Sequence, residues 1–278
     1  MRLPVGALER TDTEPGQGAV AVARVGPRTV VERALARSPL RLLLPKNHGE
    51  AAWVFLVNLG GGLVDGDRIA TRVDVGERAA VLVGTQASTK VYRSPQGCAQ
   101  HLEVSVAPAA WAAVVPDPVV CFAGARYEQR TRVSLARDAS VVLLDGYTCG
   151  RAARGERWRF DGYSARTTVM REGGRPIVDA VHLDPRHGSI EERMGKFEVV
   201  LTLLAVGPRF APLREVMLTR RPAPSPDDDE VVAASPIGED AALVRVGARR
   251  FEGASRALRP SFGELVRVLG DDPFARKW

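Results

Sequence analysis

A mainly β fold is what this 278-residue sequence predicts. The expected form is a helical stack or elongated β-sandwich of many short strands, with two or so helices in the C-terminal third. Three observations predict it. Val is abundant, and 27 Gly and 19 Pro supply many turns. Strand-length apolar runs recur at intervals of roughly 10 to 20 residues. No helical periodicity separates them before residue 195, which excludes a βαβ architecture over that stretch. No sequence repeat of fixed period appears, so a regular solenoid is not supported. The reading places a flexible N-terminus over residues 1–17 and a single β domain over residues 18–278.

The elements follow in order. Residues 19–25, 29–34 and 40–44 read as short strands broken by Gly26-Pro27 and Ser38-Pro39. Residues 53–58 are a continuous apolar strand ending in Gly60-Gly61-Gly62. Residues 68–75 alternate, with Ile69, Thr71, Val73 and Val75 facing one way. Residues 79–83 form another apolar strand. Alternation returns over 101–106 (Leu102, Val104 and Val106 inward) and 126–135 (Tyr127, Thr131, Val133 and Leu135 on one face). Residues 140–144 read as a buried strand. Residues 157–171 and 175–183 read as a pair joined by Glu172-Gly173-Gly174. Helical spacing is confined to the last third: Phe210, Leu213, Val216 and Met217 mark a helix over about 209–220, and Leu258, Phe262, Leu265, Val266 and Leu269 mark one over about 254–269. Pro260 kinks the second or starts a fresh turn. Residues 221–230 read as a linker whose acidic triplet Asp227-Asp228-Asp229 is a solvated loop.

Composition excludes several function classes. The longest run without a charge, residues 51–64, has 14 residues, short of the ~20 that a membrane span needs. The net charge is +6, but acidic residues are interspersed and no dense Lys/Arg block occurs, so the reading expects no nucleic-acid partner and no membrane. Cys98, Cys121 and Cys149 form no CxxC pair and no disulfide framework. With no apolar export segment near the N-terminus, the expected location is cytoplasmic.

Four segments hold the candidate chemistry. In NLGGGLVDGD, Gly60 and Gly62 lack the third glycine of a dinucleotide fingerprint, and a strand rather than a helix follows. A tight turn where backbones approach closely fits the glycines. Asp65 and Asp67 fit either a hard-cation pair or an ordinary Asp-Gly turn. GTQASTKVYRS contains Thr89 and Lys90 but no Ser-x-x-Lys pattern, and reads as a structural or docking loop. In LDGYTCGRAARGE, Asp145 ends an apolar strand and needs a partner, Arg151 or a metal ion. Asp179 sits similarly within residues 177–183. If they share a face, these acids make a polar track; otherwise they are structural acids satisfied by Arg. The four histidines make no soft-metal chelate, and no Ser–His–Asp, HExxH or P-loop pattern is present.

Together, GGGLVDGDRI, TQASTKVYRS and LLDGYTCGRAARGE resemble the signature blocks of the urease accessory protein UreD family, called UreH in some species. VVPDPVVCFAGAR and residues 175–183 resemble two further blocks, in the family's order, and the likeness runs from about residue 18 to 270. The departures are Asp65-Gly66-Asp67 for Gly-Gly-Asp, Pro116-Asp117-Pro118 for Pro-Gln-acid, and Cys149 for the Leu before the Gly-Arg pair.

The resemblance implies a metallochaperone scaffold for nickel insertion into urease, with no catalysis of its own. The implied partners are UreF, the GTPase UreG and the urease apoenzyme. It implies no tightly bound cofactor, with Ni²⁺ in transit along an internal channel. Carried over by position, the transit residues are Asp67, Asp145 and Asp179, and the channel- or partner-facing ones are Asp65, Thr89, Lys90 and Arg151. Carboxylates suit this task, because His and Cys clusters hold nickel too tightly to hand it on, and transport needs weak multi-site binding. The two C-terminal helices are candidates for docking UreF, with core packing the preferred role. The reading from another class is a β-stack carbohydrate-active enzyme using paired carboxylates, against which the scarcity of aromatic residues counts.

Overall fold

The computed structural model describes residues 14–46, 49–219, 225 and 227–274. Residues 1–13 of the expected N-terminal tail therefore lie outside the described residues, and the first strand opens at Gln17.

The strands are β1 (Gln17–Val25), β2 (Arg28–Ala36), β3 (Leu40–Leu43), β4 (Ala52–Asn58), β5 (Arg68–Val75), β6 (Ala80–Thr85), β7 (Lys90–Val91), β8 (Cys98–Val106) and β9 (Trp111–Val115). They continue as β10 (Val119–Cys121), β11 (Arg126–Leu135), β12 (Ser140–Thr148), β13 (Gly162–Arg171), β14 (Ile177–Leu183), β15 (Val199–Val206), β16 (Glu230–Ile237) and β17 (Ala241–Ala248). The α-helices are α1 (Ile190–Met194), α2 (Ala211–Met217) and α3 (Phe251–Leu269).

Two sheets stack face to face. The first has the order β14-β13-β11-β8-β5-β1-β2, the second β16-β17-β15-β12-β9-β6-β4-β3. From β4 to β13 the long strands alternate between the sheets, and like strands pair in parallel. The chain therefore winds as a coil, one strand per sheet per turn. Arg68, Ala99, Glu128 and Ser164 stand side by side on successive turns. Their unequal spacing in the chain explains why no fixed repeat is visible. Antiparallel hairpins close both ends: β1–β2 and β3–β4 at one, β13–β14 and β16–β17 at the other.

Burial explains the two strand patterns. The first sheet buries one face and wets the other, so β5, β8 and β11 alternate strictly over much of their length. The second sheet is covered on both faces. One face meets the first sheet, and the other is roofed by α2 and α3, whose Phe210 (just ahead of α2), Leu213, Met217, Leu258 and Leu265 pack on Leu82, Trp111, Leu201 and Val244. Its central strands β6, β9 and β15 are buried at every position.

The structure corrects several boundaries. The helix expected over 209–220 is a 3₁₀ turn, Pro208–Phe210, followed by α2, and Arg220 lies outside the described residues. The expected 254–269 helix begins earlier, at Phe251, and runs through Pro260 without a new start. Residues 157–161 are not strand. The structure adds β7, β9, β10, β15, β16, β17 and the short α1 to the expected elements. No helix among the described residues is long and apolar enough to cross a membrane.

Candidate functional site

The space between the sheets is apolar over most of its extent, but one axial strip is polar. Register aligns the strip, because residues paired across neighbouring strands stack along the axis of the coil. In the first sheet, inward-facing Thr131, Thr167 and Asp179 form one row across β11, β13 and β14. In the second, Asp145, Thr202 and Arg245 form a row across β12, β15 and β17.

A cavity of about 50 Å³ lies in this strip, lined by Thr85, Thr89, Gln100, Gln129, Asp145 and Thr167 among others. That volume holds roughly three waters. Asp145 keeps partial accessible surface, yet it lies deep in the protein, because that surface faces the cavity.

Hydrogen bonds fix the strip. Gln129 Nε2 donates to Asp145 Oδ1 across the sheets at 3.0 Å, and the Gly146 N–H donates to the same oxygen at 2.8 Å. The Tyr127 hydroxyl lies 3.2 Å from Oε1 of both Gln100 and Gln129, and its single proton is shared between these two acceptors. The Thr85 hydroxyl donates to Asp117 Oδ2 at 2.8 Å. At the far end Arg245 Nη2 lies 2.5 Å from Asp179 Oδ1, and Arg245 Nε donates to Thr202 Oγ1 at 3.2 Å. Burial pushes the Asp145 carboxyl above the ordinary range; the Gln129 and Gly146 bonds oppose this, the Asp179 charge adds to it and Arg245 reduces it. Burial likewise lifts the Tyr127 and Tyr163 phenols well above their usual range. The Tyr163 hydroxyl is buried without a hydrogen-bond partner.

The residues singled out from sequence separate into three groups. Asp145 and Thr89 line the same cavity. Asp179 stands at the end of the strip, on the sheet opposite Asp145 rather than on a neighbouring strand. The rest lie elsewhere. Asp67 accepts from the Val64 N–H and Asp65 from the Gln96 N–H, both at 2.8 Å, so these two carboxylates fasten a surface loop. The Lys90 side chain is exposed. Arg151 does not partner Asp145: it pairs with Glu156 and stacks 4.0 Å over the Phe122 ring. The chain turns away at Gly150, whose φ of 99° and tight surroundings admit no side chain.

The triple glycine behaves as a close-approach turn. A Cβ on Gly62 would stand 2.5 Å from the Lys90 carbonyl oxygen. Sequence reasoning missed Gln100, Gln129, Thr202 and Arg245. Their only signal was a polar residue at an inward position of an otherwise apolar strand.

Among the described residues no group of three or more His, Cys, Asp or Glu side chains is placed to hold a metal ion. The strip offers isolated carboxylate, amide and hydroxyl oxygens spaced along an axis. Such a set favours transient oxygen coordination of a hydrated hard or borderline cation over tight chelation.

The sequence profile described as UreD urease accessory protein matches residues 14–278. Among curated proteins, a urease accessory protein UreD of Sorangium cellulosum (strain So ce56) is 52% identical over 263 residues, 95% of this chain and 84% of that protein. One from Anaeromyxobacter sp. (strain Fw109-5) is 41% identical over 264 residues, 94% of this chain and 89% of its own. Urease accessory protein D of Arabidopsis thaliana is 30% identical over 291 residues, covering 93% and 99%.

Proposed function

The chain belongs to the UreD family of urease accessory proteins, and from that premise we propose that it is a non-catalytic scaffold that passes Ni²⁺ to the urease apoenzyme through the polar strip between its sheets. The observation that supports the reading is the polar strip of Asp, Thr and Gln side chains between two otherwise apolar sheet faces, with Asp145 at its cavity.

The physics of transit fits this arrangement. A cation crossing a protein interior needs compensating charge, which Asp145 and Asp179 supply. It also needs a shallow series of sites, so that no step traps it. The Thr167 and Thr202 hydroxyls between the carboxylates would provide partial ligation, with water completing the shell. In this reading UreF and the GTPase UreG load the metal, the apoenzyme receives it, the complex works in the cytoplasm, and no cofactor stays bound.

Co-expression tests the proposal. The urease operon is expressed with this gene present, absent, or carrying Asp145→Asn, and the purified urease is assayed for activity and nickel. The reading expects low activity and low nickel in the last two cases, with the variant still recovered in complex with its partners. Equal nickel loading in all three would remove it.

A further inference from the structure

Arg245 occupies an unusual place in the strip. It stands in the same axial row as Asp145 and Thr202, on the last-but-one strand of its sheet. Its guanidinium crosses to the opposite sheet and meets Asp179, so a single ion pair ties the two sheets where the strip ends. The Arg245 side chain is 41% exposed while that of Asp179 is 21% exposed, so the arginine is the more accessible partner and the acid the more enclosed one. A long, partly exposed side chain can carry its charged head out to water by rotation, without unfolding a strand.

Charge sets the pair and a metal ion in competition. A guanidinium and a divalent cation at one carboxylate repel each other at short range, so each weakens the hold of the other. Resting on the reading of the strip as a nickel path, we propose that Arg245 is a displaceable counter-ion: it neutralises Asp179 when the path is empty, swings out when a divalent cation arrives, and returns to expel it. Asp179 is thereby kept a weak, reversible station. The competition also selects for charge, because a monovalent cation gains too little from Asp179 to displace a guanidinium. Thr202 holds Nε in the closed arrangement, and a threonine hydroxyl is weak enough to release it.

The test is Ni²⁺ binding to the purified full-length chain by equilibrium dialysis, comparing wild type, Arg245→Gln, Arg245→Lys, Asp179→Asn and the Asp179→Asn/Arg245→Gln pair. Arg245→Gln is expected to bind Ni²⁺ about tenfold more tightly than wild type, because the competing charge is gone. Arg245→Lys, which keeps the charge but loses the fork, should tighten binding only about two- to fivefold, and it stands in if the Gln variant fails to fold. The tightening should vanish when Asp179 is Asn. In co-expression, Arg245→Gln should lower the nickel content of urease, since metal is retained.

Two results overturn the proposal: affinity within about twofold of wild type in a folded Arg245→Gln chain, or tightening that persists without the Asp179 carboxylate. Either would leave the path itself standing if Asp145→Asn still blocks delivery. Unimpaired delivery by Asp145→Asn would instead remove the path.

Discussion

Replacing Asp145 separates the carboxylate's charge from its hydrogen bonds. Its Oδ1 accepts from Gln129 and from the Gly146 N–H, deep between the sheets. Asn keeps an oxygen in that place, so both donors stay satisfied, and stability should change by less than about 1 kcal/mol. Ala removes the acceptor and strands the buried Gln129 amide, at a cost of about 1–3 kcal/mol. For a chain of this size that lowers the melting temperature by about 2–4 °C per kcal/mol. Both variants remove the charge, so both should cut urease nickel content and activity severely and to a similar extent.

The sign of the pH dependence follows from burial. Because the folded-state pKa of Asp145 is raised, its contribution to stability is fullest below the ordinary carboxylate range and is lost as pH rises through the folded value. Asp145→Asn should therefore gain stability relative to wild type as pH rises through that window. The assays are thermal melts across pH, alongside nickel analysis of co-expressed urease. Normal nickel delivery by Asp145→Asn, with losses in Asp145→Ala that track its instability, would make the residue structural and take the carboxylate out of metal transit.

Two further predictions concern stability alone. Tyr163→Phe removes a buried hydroxyl that has no partner, so the melting temperature should hold or rise, by the equivalent of up to about 1–3 kcal/mol; a clear fall would mean that the hydroxyl has a partner in solution, such as a cavity water. Gly62→Ala drives a methyl group into the Lys90 carbonyl, and chemical denaturation should show a loss of about 1–3 kcal/mol; an unchanged midpoint would show that the loop yields freely.

Much of the fold was legible in pattern. The alternating runs at 68–75, 101–106 and 126–135 belong to the half-wet sheet, and the continuous runs at 53–58, 79–83 and 140–144 to the sheet roofed by helices. The same burial hid β15: eight apolar residues in a row carry no periodicity that separates a strand from a buried helix. Gly238 and the edge position of Pro236 were the available marks of the β16–β17 hairpin.

The strip itself was only half legible. Asp145 stood out as an acid in an apolar run. Its partner did not, because Gln129 comes from the other sheet and only the coil's register brings the two together. Arg151, nearby in sequence, was the misleading neighbour. Proximity along the chain says little where each turn of the coil carries the next strand to the opposite layer.

The central claim is passage through the strip, and blocking it without touching any carboxylate tests that most directly. Thr131 is buried in the row beside Asp145's cavity. Thr131→Leu adds roughly two methylene-sized groups there, at a packing cost of about 1–3 kcal/mol. The measurement is nickel per active site in urease matured with this variant, in preparations where the variant is folded and recovered with its partners. The account predicts nickel-poor urease although Asp145, Asp179 and Arg245 are all intact. Fully loaded urease would show that the metal does not travel between the sheets.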